Sequence, residues 1–519
     1  MVVGTANRIP FEIWLQVSDL IGSTDLSSLY SINRTWFEIV MNSRYRNLDL
    51  TELNSNVLSR LPLIRDPGIA KRIQHLSISG STLQNSLLET ITGQKVKFPM
   101  HRNTLTILNR RICALNVTSV LNTHIRLISE IILGLHASEY SVKWDFREGI
   151  QSGEIIHASL QGAILDVAWS AFGSTLRKLT VSMRPERFNA ILSSDVQLVR
   201  LEELHIELHP TSGGAESIGL QDVFPEHVTS FLLRVNPHLE TLSIQSSSNL
   251  DLCSLFRRLS SFNNLRRLLL QILADDGVFA DSSGLELFFA RAASMLRHLT
   301  LVLYHTAVSS WERVISTLAM SRAHIPCLET LEINFGMPHP ELSNTLLCEM
   351  HALFRGAGTA LHTVILEGIA LSYPDLEAVT SAFADTDAGD ALKNLTVSVL
   401  TLTAQHIDTF AKNAPRIRVL GIIFMYLSLV PDGPPAAEVD CRQHFKTLLT
   451  LDRSYVEWEL QDISIWHHSR SVDSSRWDLV SPFPTCAPNI TRVFGKALHD
   501  PQPTQGRSAP VSRMLAALG

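Results

Sequence analysis

Ten copies of a Leu-x-x-Leu-x-Leu/Ile/Val phrase run through this chain, and their number constrains the fold before any single residue does. The clearest eight are Leu176/Leu179/Val181, Leu201/Leu204/Ile206, Leu239/Leu242/Ile244, Leu265/Leu268/Leu270, Leu296/Leu299/Leu301, Leu328/Leu331/Ile333, Leu361/Val364/Leu366 and Leu392/Leu395/Val397. Ile73/Leu76/Ile78 precedes them and Ile417/Leu420/Ile422 follows. From position 179 onward the middle residues are separated by 25, 38, 26, 31, 32, 33, 31 and 25 positions. Most of these intervals exceed the roughly 20 to 29 residues of a regular leucine-rich repeat. The expectation is an irregular solenoid with expanded helical sides.

Alternate residues of a strand point to one face, so the second and third apolar residues of each phrase enter a common core. Between the phrases, apolar residues switch to helical spacing: Leu285, Phe288, Phe289 and Ala292; Trp311, Ile315 and Leu318; Leu342, Leu346, Leu347, Met350 and Leu353. Each unit therefore reads as strand, turn, helix. Such a unit cannot bury its apolar face alone, so neighbours should stack into a parallel sheet lining a concave surface, with helices outside. The fold class is α/β.

Hydrophobic residues make up 45% and charged residues 18% of the 519, too apolar for bulk disorder. The 44 basic and 50 acidic residues leave a net charge of −6, and no polybasic block builds a phosphate-binding stripe. Nucleic acid and anionic membrane are therefore not expected partners. The opening Met1 to Ala6 leads into Asn7, Arg8 and a helix-like pattern, so no secretory leader is expected. The apolar stretch Val419 to Val430 is shorter than the roughly twenty residues that cross a bilayer. Cys113, Cys253, Cys327, Cys348, Cys441 and Cys486 form no Cys-x-x-Cys pair and read as reduced core thiols of the cytoplasm or nucleus. The Asn-x-Thr matches at Asn33, Asn116, Asn394 and Asn489 are then chance sequons.

The first fifty residues carry no repeat but three short helical patterns. Pro10 suits the first turn of a helix and Glu12 its positive end, with Ile13, Trp14, Val17, Leu20 and Ile21 as one apolar stripe. Ser23 or Thr24 can cap a second helix bearing Leu26, Leu29 and Ile32. A third carries Trp36, Phe37 and Val40. So short a segment buries little core, and this stripe exceeds what it needs, so part of it is expected to dock a partner.

Arg8-Ile-Pro-Phe-Glu-Ile-Trp14, then Leu20, Asp25-Leu26-Ser-Ser-Leu29 and Ile32-Asn-Arg-Thr-Trp36 resemble the F-box, whose pattern is Leu-Pro-x-Glu-Ile, a leucine, Asp-Leu-x-x-Leu and Val-x-Arg-x-Trp. Ile9 stands where leucine is common in that family and Ile32 where valine is. Tyr45-Arg-Asn-Leu48-Asp-Leu50 looks like the strand that follows such a box. By layout the whole chain resembles the large fungal class of F-box proteins with irregular leucine-rich repeats. The resemblance implies a non-catalytic adaptor: the box binds the Skp-type linker of a cullin-RING ubiquitin ligase and the repeats select a target protein. On this reading Ile9, Pro10, Ile13, Trp14, Leu20, Leu26, Leu29, Ile32 and Trp36 carry the adaptor-binding pattern, some as docking residues and some as helix packing. The implied organisation is an F-box-like module over 1–45, a solenoid over 46–430, a capping region over 431–500 and a tail over 501–519.

Catalytic, metal and cofactor patterns are not found. The chain has no Gly-x-Ser-x-Gly, no Gly-x-x-x-x-Gly-Lys-Ser/Thr and no His-Glu-x-x-His. Gly356-Ala-Gly358 lacks the third glycine of a dinucleotide loop. Asp385-Thr-Asp387-Ala-Gly389-Asp390 starts like a calcium loop but has Asp390 at position six and Thr396 at position twelve. His205 and His209 share a strand face but stand about 13 Å apart by strand rise, too far for one metal.

Residues interleaved with the buried leucines are expected on the concave face, among them Glu203, His205, Glu207, Arg267, His298, Glu332, Asn334 and Glu367 as candidate target-binding residues. Four glutamates against few basic residues favour a basic or polar target, although an unligated solenoid would be polar there too. Between Ile78 and Leu176 the phrase degrades to Ile112/Leu115/Val117, and about three divergent units are expected. After Pro431-Asp-Gly-Pro-Pro435, the stretch with Trp458, Trp466 and Trp477 is expected to cap the last hydrophobic layer or to form a ligand site. A non-degradative interaction scaffold and a small-molecule sensor remain alternatives to the ligase adaptor.

Overall fold

Burial alternates along the phrases as a half-buried strand requires. In the strand Glu203–Leu208, Leu204, Ile206 and Leu208 are buried, while Glu203, His205 and Glu207 are partly exposed. The computed structural model of the protein describes residues 9–50, 63–79, 126–135, 139–143, 165–209, 220–246 and 252–497, leaving aside 22, 127, 186–187, 193–196, 260–261, 274–280, 282, 293, 305–307, 340–343, 357–359, 385–390, 436, 452 and 469–478. It divides into two units, residues 1–245 and 246–519.

The first unit opens with three short helices: α1 (Phe11–Asp19), α2 (Ser23–Leu26), which runs on as a 3-10 turn to Ser31, and α3 (Arg34–Tyr45). Pro10 sits at the N-cap of α1. Asn33 caps α3, its side chain accepting from the Trp36 amide at 2.9 Å. Six strands follow in sequence order: β1 (Asn47–Leu50), β2 (His75–Ser79), β3 (Glu139–Lys143), β4 (Lys178–Met183), β5 (Glu203–Leu208) and β6 (Thr241–Ser246). Neighbours from β1 to β5 pair in parallel.

The second unit carries β7 (Arg267–Leu273), β8 (His298–Tyr304), β9 (Thr330–His339), β10 (Thr363–Leu371), β11 (Asn394–Leu402), β12 (Val419–Leu427), β13 (Asp462–His467), β14 (Arg492–Val493) and β15 (Lys496–Ala497). Pairing is parallel from β7 to β14, and β15 turns back antiparallel on β14. Helices connect the strands, among them Ser283–Ala292, Val308–Ser321, Asn344–Gly356, Tyr373–Ser381 and Ala404–Asn413. They bury the spaced residues read from sequence, including Phe288, Ile315, Leu346 and Met350. Phe256 meets Phe288 at 5.2 Å, and Phe354 stacks on Phe383 at 5.4 Å, so aromatic pairs tie successive helical layers together. Parallel strands joined by helices make each unit an α/β solenoid.

One backbone device fixes the register of stacking. The carbonyl just ahead of a strand accepts two consecutive amides from the next unit: Arg177 from Glu202 and Glu203, Arg297 from Glu329 and Thr330, His362 from Lys393 and Asn394, Arg418 from Gln461 and Asp462. A carbonyl has two lone pairs, so both donors are satisfied without side-chain help. The ladder therefore asks for no particular side chain at these positions, whereas the core requires the leucines.

All ten phrases place their apolar residues in the core. Leu48 and Leu50 form β1 as read from sequence. Past residue 430 the parallel order does not stop: Leu460/Ile463/Ile465 repeats the phrase in β13, and β14 adds one more strand before the hairpin. Between 79 and 175 the described residues hold one strand, β3, while Ile112/Leu115/Val117 lie outside them, as do Asp385–Asp390, Trp477 and the tail. Cys253, Cys441 and Cys486 are buried, but Cys327 and Cys348 lie at the surface, because each falls on the solvent side of its segment.

Candidate functional site

The N-terminal helices divide their apolar residues between a small core and a surface. Leu26, Trp36, Ile39 and Val40 are buried, with Trp14, Ile21 and Leu29 packed against them. Trp14 meets Trp36 edge-on at 5.4 Å. The remaining sequence-selected residues point outward: Ile13 is 45% exposed, Ile32 60% and Leu20 88%, and Ile9 and Pro10 are exposed beside them. Val17 and Phe37, read from sequence as apolar helix residues but not as F-box positions, are also exposed, as are Phe11, Leu15 and Tyr30, which sequence reading does not single out. Three short helices cannot enclose so many large side chains, so the excess stays in water.

In the first unit, the sheet face away from the core carries a charged cluster. Lys178 and Glu203 are register partners on β4 and β5, with Nζ 3.1 Å from Oε2. Burial opposes ionisation of Glu203, but the Lys178 bond and charge outweigh it, aided by His205, and hold the carboxyl below its usual range. His205 Nε2 lies 3.7 Å from the same oxygen, too long for a hydrogen bond. Burial and then the Lys178 charge push the His205 pKa down. Ser182 Oγ and His209 Nε2 are 2.6 Å apart, but Ser182 is buried, so the pair fastens β4 to the residue after β5 and presents no nucleophile. Glu207 faces the same side as Glu203 and His205.

In the second unit, five sequence-selected residues fall on adjacent strands. Arg267 pairs in register with His298, whose pKa is lowered by burial and then by the Arg267 charge. Glu332 accepts from the Thr300 hydroxyl at 3.1 Å, and among the described residues it has no cationic partner. Burial raises its pKa, only partly opposed by that hydroxyl. Asn334 donates to Glu367 at 3.0 Å on the next strand.

Farther along the same unit stands an aromatic pair that sequence reading leaves inside a capping region. Trp466 on β13 faces outward beside Ile423 and meets Phe494 at 6.0 Å. Its ring leans over Gly421, where a Cβ would stand 3.0 Å from Trp466 Cζ3 and 2.6 Å from Thr396 Oγ1. Phe494 and Gly495 form the two-residue turn between β14 and β15, both at positive φ, 53° and 73°. Glycine adopts that conformation freely, whereas for a bulky residue it costs about 1–2 kcal/mol. The signal available in sequence is the phrase Leu460/Ile463/Ile465, which places Trp466 on the outward side of a strand.

Among the described residues, no group of three or more His, Cys, Asp or Glu side chains converges as a metal site, and no helix is long and apolar enough to cross a membrane.

No family model matches the sequence, and no curated protein matches it. Among solved structures, the chain is similar to one described as "Crystal structure of Rad7 and Elc1 complex in yeast", at 12% identity over 96% of this chain and 99% of that chain, with a TM-score of 0.39. A likeness of that degree carries no argument, and the fold rests on the strands and helices themselves.

Proposed function

We propose that this protein is the substrate-recognition subunit of a Skp-cullin-F-box ubiquitin ligase. Its N-terminal helices dock the Skp-type linker, the linker joins it to the cullin-RING ligase, and the solenoid holds the target protein. The chain itself performs no chemistry in this reading, and it works in the cytoplasm or nucleus.

The observation that carries the reading is the exposed apolar surface of the helical module. Ile9, Ile13, Leu20 and Ile32 hold F-box pattern positions, and they are the residues left in water, while Leu26 and Trp36 of the same pattern build the core. A docking module needs this division: some residues fold it and others remain for the partner. Full burial of a large aliphatic side chain is worth about 1.5–3 kcal/mol, and a docked partner recovers the fraction of it that these four residues leave in water.

The test is a binding measurement with purified full-length chain and purified Skp-type linker. Ile13→Ser with Leu20→Ser is the informative variant, because both residues are exposed and contribute little to folding. Binding by the wild type that is lost in this variant, at an unchanged melting temperature, supports the adaptor. A folded wild type that does not bind the linker removes the reading.

A further inference from the structure

The open face of the second unit offers two different anchors at a fixed separation. Glu332 and Glu367 lie on the neighbouring strands β9 and β10. Glu367 stands just past Leu366, where the register of β10 with β11 shifts, and beyond it one lateral row joins the buried Ser398 on β11, Ile423 on β12 and Trp466 on β13. One row over, Thr396 and Gly421 add small side chains beneath the Trp466 ring. Three strand spacings of about 4.8 Å separate β10 from β13, which sets the two anchors about 14 Å apart across the sheet.

At one end, Glu332 is a half-buried carboxylate satisfied by a single hydroxyl. Covering it with an apolar partner would strip its remaining water at high cost, whereas a cation placed there replaces that water with an ion pair. At the other end, Trp466 is held edge-on by Phe494, a residue kept in a left-handed conformation. A backbone outlier of this kind directs attention to what its side chain supports, and here that is the half-exposed Trp466 ring. Between the anchors Thr396, Ser398 and Gly421 are small, and Ile423 beside Trp466 offers an apolar floor to a passing backbone.

We propose that this face binds an extended segment of a partner protein that places a Lys or Arg side chain at Glu332 and Glu367 and an aromatic or large aliphatic side chain at Trp466. An extended chain rises about 3.4 Å per residue, so the separation of about 14 Å corresponds to positions i and i+4, which point to the same side. The inference rests on the reading of the solenoid as the target-holding part and specifies what kind of target it holds.

The probe is a fluorescein-labelled twelve-residue peptide with Arg and Phe four apart in a Gly/Ser background, titrated into the full-length chain by anisotropy. Three control peptides carry Glu for Arg, Ser for Phe, or a spacing of three. The four-apart peptide should bind about tenfold or more tightly than each control. Glu332→Gln with Glu367→Gln should remove the advantage over the Glu peptide, and Trp466→Ala the advantage over the Ser peptide. Glu332→Gln keeps an oxygen acceptor for Thr300, so a melting curve like that of the wild type is expected. Equal affinity for all four peptides, or no binding up to about 1 mM, overturns the proposal. Linker binding measured on the same preparation separates the two claims: linker bound with no peptide preference sinks this inference alone, and peptide preference without linker binding sinks the ligase reading alone.

Discussion

Arg72 reaches from the turn before β2 to the third helix of the N-terminal module, with its Nη2 2.6 Å from Glu38 Oε2. The same guanidinium donates to Asn42 Oδ1 and, through Nε, to the Gly68 carbonyl at 3.0 Å. The Arg72 side chain is only 12% exposed, although Glu38 on the other side of the pair is 37% exposed, so the guanidinium is shielded more than its partners. The backbone adds a second tie, since the Arg46 carbonyl accepts from both Gln74 and His75 at the start of the β1–β2 ladder. The helical module is therefore fixed to the first strands of its unit and does not hang from a linker. Arg72→Ala should cost about 1.5–2 kcal/mol locally, the low end of the roughly 1.5–3 kcal/mol for hydrogen bonds to a charged group, because solvent screens the Glu38 side of the pair. Amide exchange across Arg34–Tyr45 would then quicken about 10- to 30-fold, with the solenoid strands unchanged. Unaltered exchange in α3 would show that strand pairing alone holds the module.

His406 carries a pH dependence that can be signed. It is fully buried at the start of the helix Ala404–Asn413, with Nδ1 accepting from the Thr403 amide at 3.3 Å and 2.8 Å from its hydroxyl, and its ring edge-on to Tyr373. Burial lowers its pKa from 6.5 to about 4. The unfolded chain therefore takes up a proton that the folded chain refuses, and stability falls as pH drops through 6.5, levelling off below 4. Above pH 6.5 both states are neutral and the group contributes no pH dependence. The full penalty is about 3 kcal/mol, since each tenfold loss of proton affinity is worth about 1.4 kcal/mol. His406→Gln keeps a neutral acceptor in the capping box. Urea midpoints of wild type and variant at pH 7 and pH 4.5 should show the wild type losing about 2–3 kcal/mol more than the variant on acidification. Parallel losses would rule out this histidine as the source.

The repeat is legible because its signal is chemical and periodic: an apolar phrase turned into water ten times over is too costly, so the phrases from Ile73 through Ile422 have one folded outcome. The split of the N-terminal pattern is not legible. Leu26 and Leu20 are the same residue type in the same motif, yet one is buried and the other exposed, and only the crossing of three helices decides which. Sequence reads the stretch with Trp466 as a cap or a ligand site without orienting the ring, because the strand that orients it lies beyond the last clear phrase. Asn33 reads as a chance sequon, and its role as an N-cap depends on the backbone turning extended at that residue, which composition does not report. Pairings such as Arg72 with Glu38 join positions 34 apart in sequence and have no local signature.

Asp408 fastens the chain that follows the helix Glu438–Leu451. Arg453 grips it with Nε 2.8 Å from Oδ1 and Nη2 2.9 Å from Oδ2, while the Tyr455 hydroxyl donates to Oδ1 at 2.6 Å. Burial first, and then the bond to this carboxylate, raises the Tyr455 pKa far above its usual value, so the phenol stays a donor throughout the physiological range. Lysine retains the charge of Arg453 but cannot present two parallel donors. Arg453→Lys should weaken this attachment by about 1–2 kcal/mol. The check is exchange at the Tyr455 amide, which donates to the Cys486 carbonyl at 2.7 Å, and at the Trp458 amide. Both should quicken about 5- to 30-fold, while amides of β10 and β11 hold their rates.

Gly421 is the position where one added methyl group should disturb the proposed aromatic anchor most directly. Its missing Cβ would stand 2.6 Å from Thr396 Oγ1, 3.0 Å from Thr396 Cγ2 and 3.0 Å from Trp466 Cζ3. Thr396 is β-branched and stiff on its strand, and the Trp466 ring is in edge contact with Phe494, so neither yields easily. Overpacking of this kind costs about 1–3 kcal/mol. Gly421→Ala should therefore destabilise the second unit by that amount and tilt the Trp466 ring away from β11. In a Thr396→Ala background both threonine clashes vanish, and Gly421→Ala should cost less than half as much. The coupling from the double-mutant cycle should reach about 1 kcal/mol. Additive costs would locate the strain at Trp466 alone. In that case the Phe-bearing peptide, and not stability in the Thr396→Ala background, becomes the sensitive readout of the displaced ring.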